Sequence, residues 1–178
     1  DAWNDGRAGL RLDWIPDDEN TLTLSGSAFD IHMRNEVPKT VSQLLRVPGR
    51  QKLYGQFAAS RSTSHGGGGT LTWQHRLDDA NLLVFRANAE HIARHSDSFD
   101  DDSARYGASI EYQTQPGAHQ LRVGASHTYW NSNIDNKYFV SFWPEDRASQ
   151  YSRLFAEDKI ALSPEFSLLL SGGIEHDP

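Results

Sequence analysis

The chain has 178 residues, a net charge of -7, 37% hydrophobic residues and no cysteine. An acidic chain without a basic face argues against nucleic-acid binding, and the absence of cysteine excludes disulfides and thiolate metal sites. No run of 18 apolar residues occurs, so no transmembrane helix is predicted. The length suits a single domain, and alternating strands with polar loops dilute apolar content in the way a membrane barrel does.

The first predicted hairpin joins strands over residues 6–14 and 21–33 through a Pro/Asp-rich turn at 16–20. In the first strand, apolar residues alternate with polar ones at a period of two. In the second strand, the apolar residues change parity along the strand, which predicts a β-bulge near Gly26. The apolar row of the first strand consists of Ala8, Leu10, Leu12 and Trp14.

A long loop is predicted over residues 34–65, with a short helical turn at 41–46. Four consecutive glycines at 66–69 are expected to end this loop, because glycine is unfavourable inside a regular element. A third strand at 70–77 and a turn at 78–81 follow.

The next three strands are predicted at 82–94, 103–115 and 119–130. A Ser/Asp-rich loop at 95–101 separates the first two, and a tight turn at 116–118 separates the second and third. The alternation is clearest in the fifth strand of the chain. Its apolar row is Ala104, Tyr106, Ala108, Ile110 and Tyr112.

A second long loop at 131–149 precedes a final hairpin over 151–175. Its turn lies at 163–165, because Pro164 cannot donate to a sheet ladder. The total is eight antiparallel strands with short turns at one end and mostly longer loops at the other. This pattern is typical of an outer-membrane β-barrel.

Several charged residues fall in the centres of the polar rows. In a barrel they would face the lumen, because a charge at lipid depth costs about 2–4 kcal/mol. In a soluble sandwich they would face water. These residues are Arg11, Arg86, Glu90, Arg105, Glu111, Arg122 and Glu175. Aromatic residues near the strand ends suit the interfacial girdles of a barrel, although core packing in a sandwich explains them as well. They are Trp14, Trp73, Tyr112, Tyr129 and Trp130.

No nucleotide-binding or hydrolase motif occurs. His91 and His95 are four residues apart, which on a strand separates them by more than about 10 Å. The charged run at 157–159 lies on a predicted strand and is better explained by a polar face than by acid/base chemistry. We therefore expect no metal site, no cofactor and no enzymatic activity.

The segment 142–177, FWPEDRASQYSRLFAEDKIALSPEFSLLLSGGIEHD, resembles the barrel of TonB-dependent outer-membrane receptors. Residues 155–162 and 166–176 occupy the positions of two paired strands in that family. Glu157 and Lys159 depart from the residues that the family usually carries there. Upstream, residues 9–26 and the stretch from Gly66 onward are similar to two further hairpins of the family, so the resemblance covers nearly the whole chain.

The resemblance implies that residues 1–178 are part of a 22-stranded barrel, with the plug domain absent from this chain. Such receptors carry ferric siderophores, or another scarce nutrient, across the bacterial outer membrane with energy from TonB. The implied partners are the ligand, the plug, TonB and outer-membrane lipid. An isolated segment with unpaired edge strands and a broad apolar face is expected to self-associate.

The candidate ligand contacts lie on the predicted long loops. Arginine holds anionic groups through its planar fork, and aromatic rings stack on catechol or haem. The candidates are Arg46, Arg50, Tyr138, Phe139, Trp143 and Arg147. Two other assignments fit the same alternation: a complete eight-stranded barrel with a structural or adhesion role, and a soluble β-sandwich binding module.

Overall fold

A computed structural model describes residues 2–38, 57–97, 99–137 and 142–177. They form one antiparallel sheet in which each strand pairs with the next along the chain. The strands are β1 (Ala2–Trp14), β2 (Asn20–Pro38), β3 (Phe57–Arg76), β4 (Asn81–Ser96), β5 (Phe99–Thr114), β6 (His119–Asn136), β7 (Asp146–Ala161) and β8 (Ser167–His176). The prediction of an all-β meander of eight strands is confirmed. Among the described residues, no helix is long and apolar enough to cross a membrane.

Several predicted loops are in fact the far halves of strands. β2 continues to Pro38 and β3 begins at Phe57, so both ends of the predicted loop at 34–65 are wrong. The predicted helical turn at 41–46 lies outside the described residues. At the strand ends far from the short turns, the strands pair through backbone hydrogen bonds. These bonds do not require the apolar alternation on which the prediction relied.

The other two long connections are also shorter than predicted. β4 ends at Ser96 and β5 begins at Phe99, so both ends of the predicted loop at 95–101 are wrong. The predicted loop at 131–149 loses both ends, because β6 continues to Asn136 and β7 begins at Asp146.

The four glycines lie inside β3, contrary to prediction, and pair with both neighbouring strands. A Cβ atom on Gly66 would lie 2.5 Å from the carbonyl oxygen of His91, and one on Gly68 would lie 2.7 Å from that of Ala89. The close approach of the neighbouring backbones therefore requires residues without a side chain here.

The predicted bulge near Gly26 is also wrong, because β1 and β2 pair without interruption from Ala2↔Arg34 to Trp14↔Leu22. Because the register is continuous, the apolar residues before and after the change of parity lie on opposite faces of the sheet. Leu24 lies on the same face as its partner Leu12, whereas Phe29 lies on the opposite face, opposite Arg7.

A row of directly paired apolar residues crosses the whole sheet. It consists of Trp14, Leu22, Trp73, Phe85, Ile110, Ala125, Leu154 and Ile174. On β1 the row lies at Trp14, the residue next to the short turn. On β8 it lies at Ile174, seven residues beyond Ser167, where that strand leaves its short turn. The short-turn edge is therefore staggered by one residue per strand. With a rise of about 3.3 Å per residue and a strand spacing of about 4.8 Å, this stagger corresponds to a tilt of about 35°, as in barrels.

The two faces of the sheet differ in polarity and in burial. The apolar face, which carries the row above, is uncovered: Leu10 is 64% exposed, Leu154 is 59% exposed and Ile174 is 73% exposed. The polar face, by contrast, buries Glu111 to 4% exposure and Ser132 to 4%. This distribution is the reverse of that expected for a water-soluble domain.

Side chains cap three of the short turns. The carboxylate of Asp17 accepts hydrogen bonds from the backbone N–H of Glu19 and from both nitrogens of Asn20. Asp78 and Asn81 repeat this arrangement one hairpin later. In the last turn, Ser163 Oγ accepts from two backbone N–H groups. The remaining turn contains Gly117 with φ of 64°, a conformation that favours glycine.

Candidate functional site

The register places all seven of the charged residues predicted to share a face on the polar face. In the half of this face near the short turns, four side chains of alternating charge form what we call the charge ladder: Arg86, Glu111, Arg122 and Glu157. Arg122 donates to both carboxylate oxygens of Glu111, from Nε at 2.9 Å and from Nη2 at 3.0 Å. Arg86 lies 3.6 Å from the same carboxylate, and Glu157 lies 3.7 Å from Arg122.

The charge ladder is packed against an aromatic ring. The guanidinium carbons of Arg122 and Arg153 each lie 5.6 Å from the centroid of Phe155, a cation–π distance. Arg153 also pairs with Glu175 on β8 at 3.5 Å. The charges of the ladder and of the Arg153–Glu175 pair thus have partners on neighbouring strands, so these side chains hold the strands together.

Farther from the short turns, the polar face contains a depression of about 400 Å³ that we call the mid-wall hollow. Its lining residues are Glu90, Ile92, Ser103, Ala104, Arg105, Thr128 and Trp130. Glu90, Arg105 and Trp130 are cross-strand neighbours on β4, β5 and β6. Within the described part of the chain, none of these three side chains makes a hydrogen bond or an ion pair, and all three are exposed.

A second depression of about 320 Å³ lies beside the mid-wall hollow and shares Glu90 with it. Its floor is the glycine segment of β3, and hydroxyl and amide side chains surround it. The polar and aromatic lining residues include Ser25, Ser27, Phe29, Thr70 and Asn88. Together the two depressions form a polar trough across β2 to β6.

A third depression, of about 460 Å³, lies on the apolar face. Its walls include Phe85, Ile110 and Leu154, and its polar groups include His127, whose Nδ1 is 2.9 Å from Ser152 Oγ. Because it opens on the uncovered apolar face, this groove is a poor site for a water-soluble ligand. Among the described residues, no cluster of three or more His, Asp or Glu side chains has the geometry to hold a metal ion.

Four of the residues predicted to contact ligand, Arg46, Arg50, Tyr138 and Phe139, lie outside the described residues. The other two are neighbours at the long-loop end of the sheet: Trp143 is 86% exposed, and Arg147 Nη2 donates to its carbonyl oxygen at 3.1 Å.

The residues of the mid-wall hollow were not predicted as ligand contacts. Alternation placed Glu90 and Arg105 on the polar face, but only the strand register brings them next to each other. Trp130 was assigned to a lipid girdle, and this is wrong: it lies on the polar face opposite Arg105, six residues before the end of β6.

The fold is an antiparallel meander of the kind found in β-barrels. No protein-family model and no curated protein sequence matches the chain. Among solved structures, the chain is similar to the crystal structure of the siderophore receptor PiuA from Acinetobacter baumannii, with a TM-score of 0.68 and 13% sequence identity. The match covers 98% of this chain and 35% of that receptor, so the chain spans about a third of its length. This likeness shows the fold.

Proposed function

We propose that the chain is a barrel segment of a TonB-dependent outer-membrane receptor that takes up a ferric siderophore. The observation that carries this proposal is the reversed polarity of the sheet. Glu111 is buried on the polar face, whereas Leu154 and Ile174 are exposed on the apolar face. A sheet with this distribution suits a barrel whose outer surface contacts lipid and whose inner surface contacts water or a plug domain.

The sheet topology supports the proposal over the two alternatives. A complete eight-stranded barrel would pair β1 with β8, but β1 pairs with β2 and β8 with β7 at the two edges of the sheet. A β-sandwich would cover its apolar face with a second sheet, whereas the eight strands form one sheet. The stagger of one residue per strand also matches a tilted barrel wall.

In this proposal, each face has its own partner. The apolar face contacts outer-membrane lipid, and the polar face lines the lumen, where it meets the plug domain and the passing ligand. TonB supplies energy through the plug and does not contact this segment. The barrel would have 22 strands, of which these are eight.

The first experiment locates the native polypeptide and tests its transport. An antibody to this segment should detect, in fractionated envelopes, an outer-membrane band much larger than 20.0 kDa that increases under iron starvation. Disrupting the gene should abolish uptake of radiolabelled iron presented as a ferric siderophore. A soluble band, or unchanged uptake of every ferric siderophore tested, would contradict the proposal.

A second experiment tests the assignment of the two faces. The chain has no cysteine, so Leu154→Cys and Ser126→Cys each add one spin-label site to this segment. These positions lie on neighbouring strands but on opposite faces. In the whole receptor in lipid vesicles, a label at position 154 should be relaxed mainly by oxygen, which concentrates in lipid. A label at position 126 should be relaxed mainly by a water-soluble nickel chelate, and the opposite result would reverse the assignment.

A further inference from the structure

The mid-wall hollow brings together three exposed groups that have no side-chain partner within the described residues. Arg105 provides a cation with a planar set of donors, Glu90 provides an acceptor, and Trp130 provides an aromatic face that is 36% exposed. In the charge ladder, by contrast, the charged side chains are paired with one another. Exposed but unpaired groups of complementary type are available for a ligand without breaking any contact of the fold.

The chemistry of the three groups restricts the ligand. A flat ring packs on the indole of Trp130, an ionised oxygen accepts from the guanidinium of Arg105, and a hydrogen-bond donor reaches Glu90. Because Arg105 and Glu90 cancel in charge, a purely anionic group gains less here than one that carries both an ionised oxygen and an N–H. A catechol joined to an amide, as in a catecholamide, offers the ring, the ionised oxygen and the N–H in one unit.

The size of the hollow also restricts the ligand. A volume of about 400 Å³ is at the small end of the range for ligand pockets, so it fits one ring unit rather than a whole ferric complex. The adjoining depression over Gly68 leaves room for the rest of the ligand, with Asn88 and hydroxyl groups at its margin.

We infer that the mid-wall hollow binds one catecholamide arm of the transported ligand, with Trp130, Arg105 and Glu90 as its contacts. This inference rests on the proposed function and names the ligand class that the lumen wall selects.

The test uses the whole receptor that carries this segment, purified in detergent, and isothermal titration calorimetry. One probe is the ferric complex of dihydroxybenzoylglycine, a catecholamide, and the other is ferric acetohydroxamate, which has no ring. Arg105→Gln should weaken catecholamide binding about tenfold through loss of a charge-assisted contact. Trp130→Leu should weaken it about fivefold through loss of the aromatic contact.

Two variants elsewhere on the polar face serve as controls. Arg76→Gln on β3 and Trp3→Leu on β1 remove the same groups from this face outside the hollow, and Arg76, like Arg105, is exposed and makes no ion pair within the described residues. They should change the affinity less than about twofold, since they are distant from the hollow. The thermal unfolding midpoint of each variant should match that of the unmodified receptor. Arg105→Lys should recover only part of the affinity, because the lysine ammonium lacks the planar fork.

Three results would overturn the inference. If the unmodified receptor binds the catecholamide and the hollow variants bind as tightly as the controls, the site is wrong while the proposed function stands. If hydroxamate binding weakens equally in the hollow variants, the ligand class is wrong. If the unmodified receptor binds neither ferric complex and its gene is not needed for iron uptake, the proposed function fails together with the inference.

Discussion

The charge ladder and the mid-wall hollow lie on the same face and share three strands, yet their side chains are used differently. Glu111 in the ladder is 4% exposed, and both of its carboxylate oxygens accept hydrogen bonds from Arg122. Glu90 in the hollow is exposed and makes no ion pair. The comparison indicates that one part of the polar face stabilises the sheet, while the other is available for a ligand.

Packing explains the difference. In the ladder, Phe155 lies between two glycines on the neighbouring strands, and a Cβ on Gly124 would be 2.7 Å from the ring. The ring therefore fills the space over the glycine and supports the flanking arginines. In the hollow, small residues such as Ser103 and Thr128 line the space and no comparable side chain fills it.

The largest expected effect comes from breaking the ladder at its centre. Glu111→Ala leaves two arginines without their buried carboxylate. Because Arg86 and Arg122 are nearly half exposed, the expected loss is about 2 kcal/mol of unfolding free energy, below the usual range for fully buried pairs. Glu90→Ala, the same change in the hollow, should cost less than about 0.5 kcal/mol. Denaturant titration of the two receptors measures both values, and equal losses would contradict the comparison.

A smaller effect is expected from filling the floor of the trough. A methyl group on Gly68 would lie 2.7 Å from the carbonyl oxygen of Ala89 and 3.2 Å from Glu90 Cα, so the backbone must shift. Gly68→Ala should therefore cost about 1–2 kcal/mol of unfolding free energy. The control is Gly172→Ala on β8, where a Cβ meets nothing within 4 Å and the change should be neutral or slightly stabilising. A neutral result at Gly68 would show that β2 to β4 can move apart.

Much of the fold follows from the sequence because a single feature, the alternation of apolar and polar residues, determines it. The final hairpin and the turns at 78–81 and 163–165 follow from that alternation together with Asp, Asn, Ser and Pro. The alternation fades only at the strand ends that lie farthest from the short turns. The polar ends of β2 to β7 were therefore predicted as loops, although they are paired.

The glycines of β3 and the mid-wall hollow depend on information that a single strand does not contain. Gly66 is tolerated because the backbone of β4 comes close to it, and that distance is a property of two strands. In the same way, Trp130 becomes a neighbour of Arg105 only through the register of β5 and β6. Contacts between strands are set by register, whereas local composition sets only the face of each residue.

The smallest expected effect comes from the two short turns that Asp17 and Asp78 cap, at the end of the sheet nearest the charge ladder. Hydrogen bonds from the side chain of Asn20 lower the pKa of Asp17 below its ordinary value, and those from Asn81 do the same for the pKa of Asp78. A pKa that is lower in the folded state stabilises the fold fully above the unfolded value of about 3.9, and this contribution is lost as the pH falls through the folded value.

The change to compare is therefore Asp17→Asn with Asp78→Asn, which keeps an acceptor oxygen but removes the ionisation. Between about pH 6 and about pH 3, the thermal unfolding midpoint of the unmodified receptor should fall slightly more than that of this double variant. The matched control is Asp18→Asn with Asp79→Asn, which removes the same charge from carboxylates that make no hydrogen bond within the described residues. The control should retain the acid sensitivity of the unmodified receptor. If both double variants behave alike, net charge rather than turn capping governs the acid response.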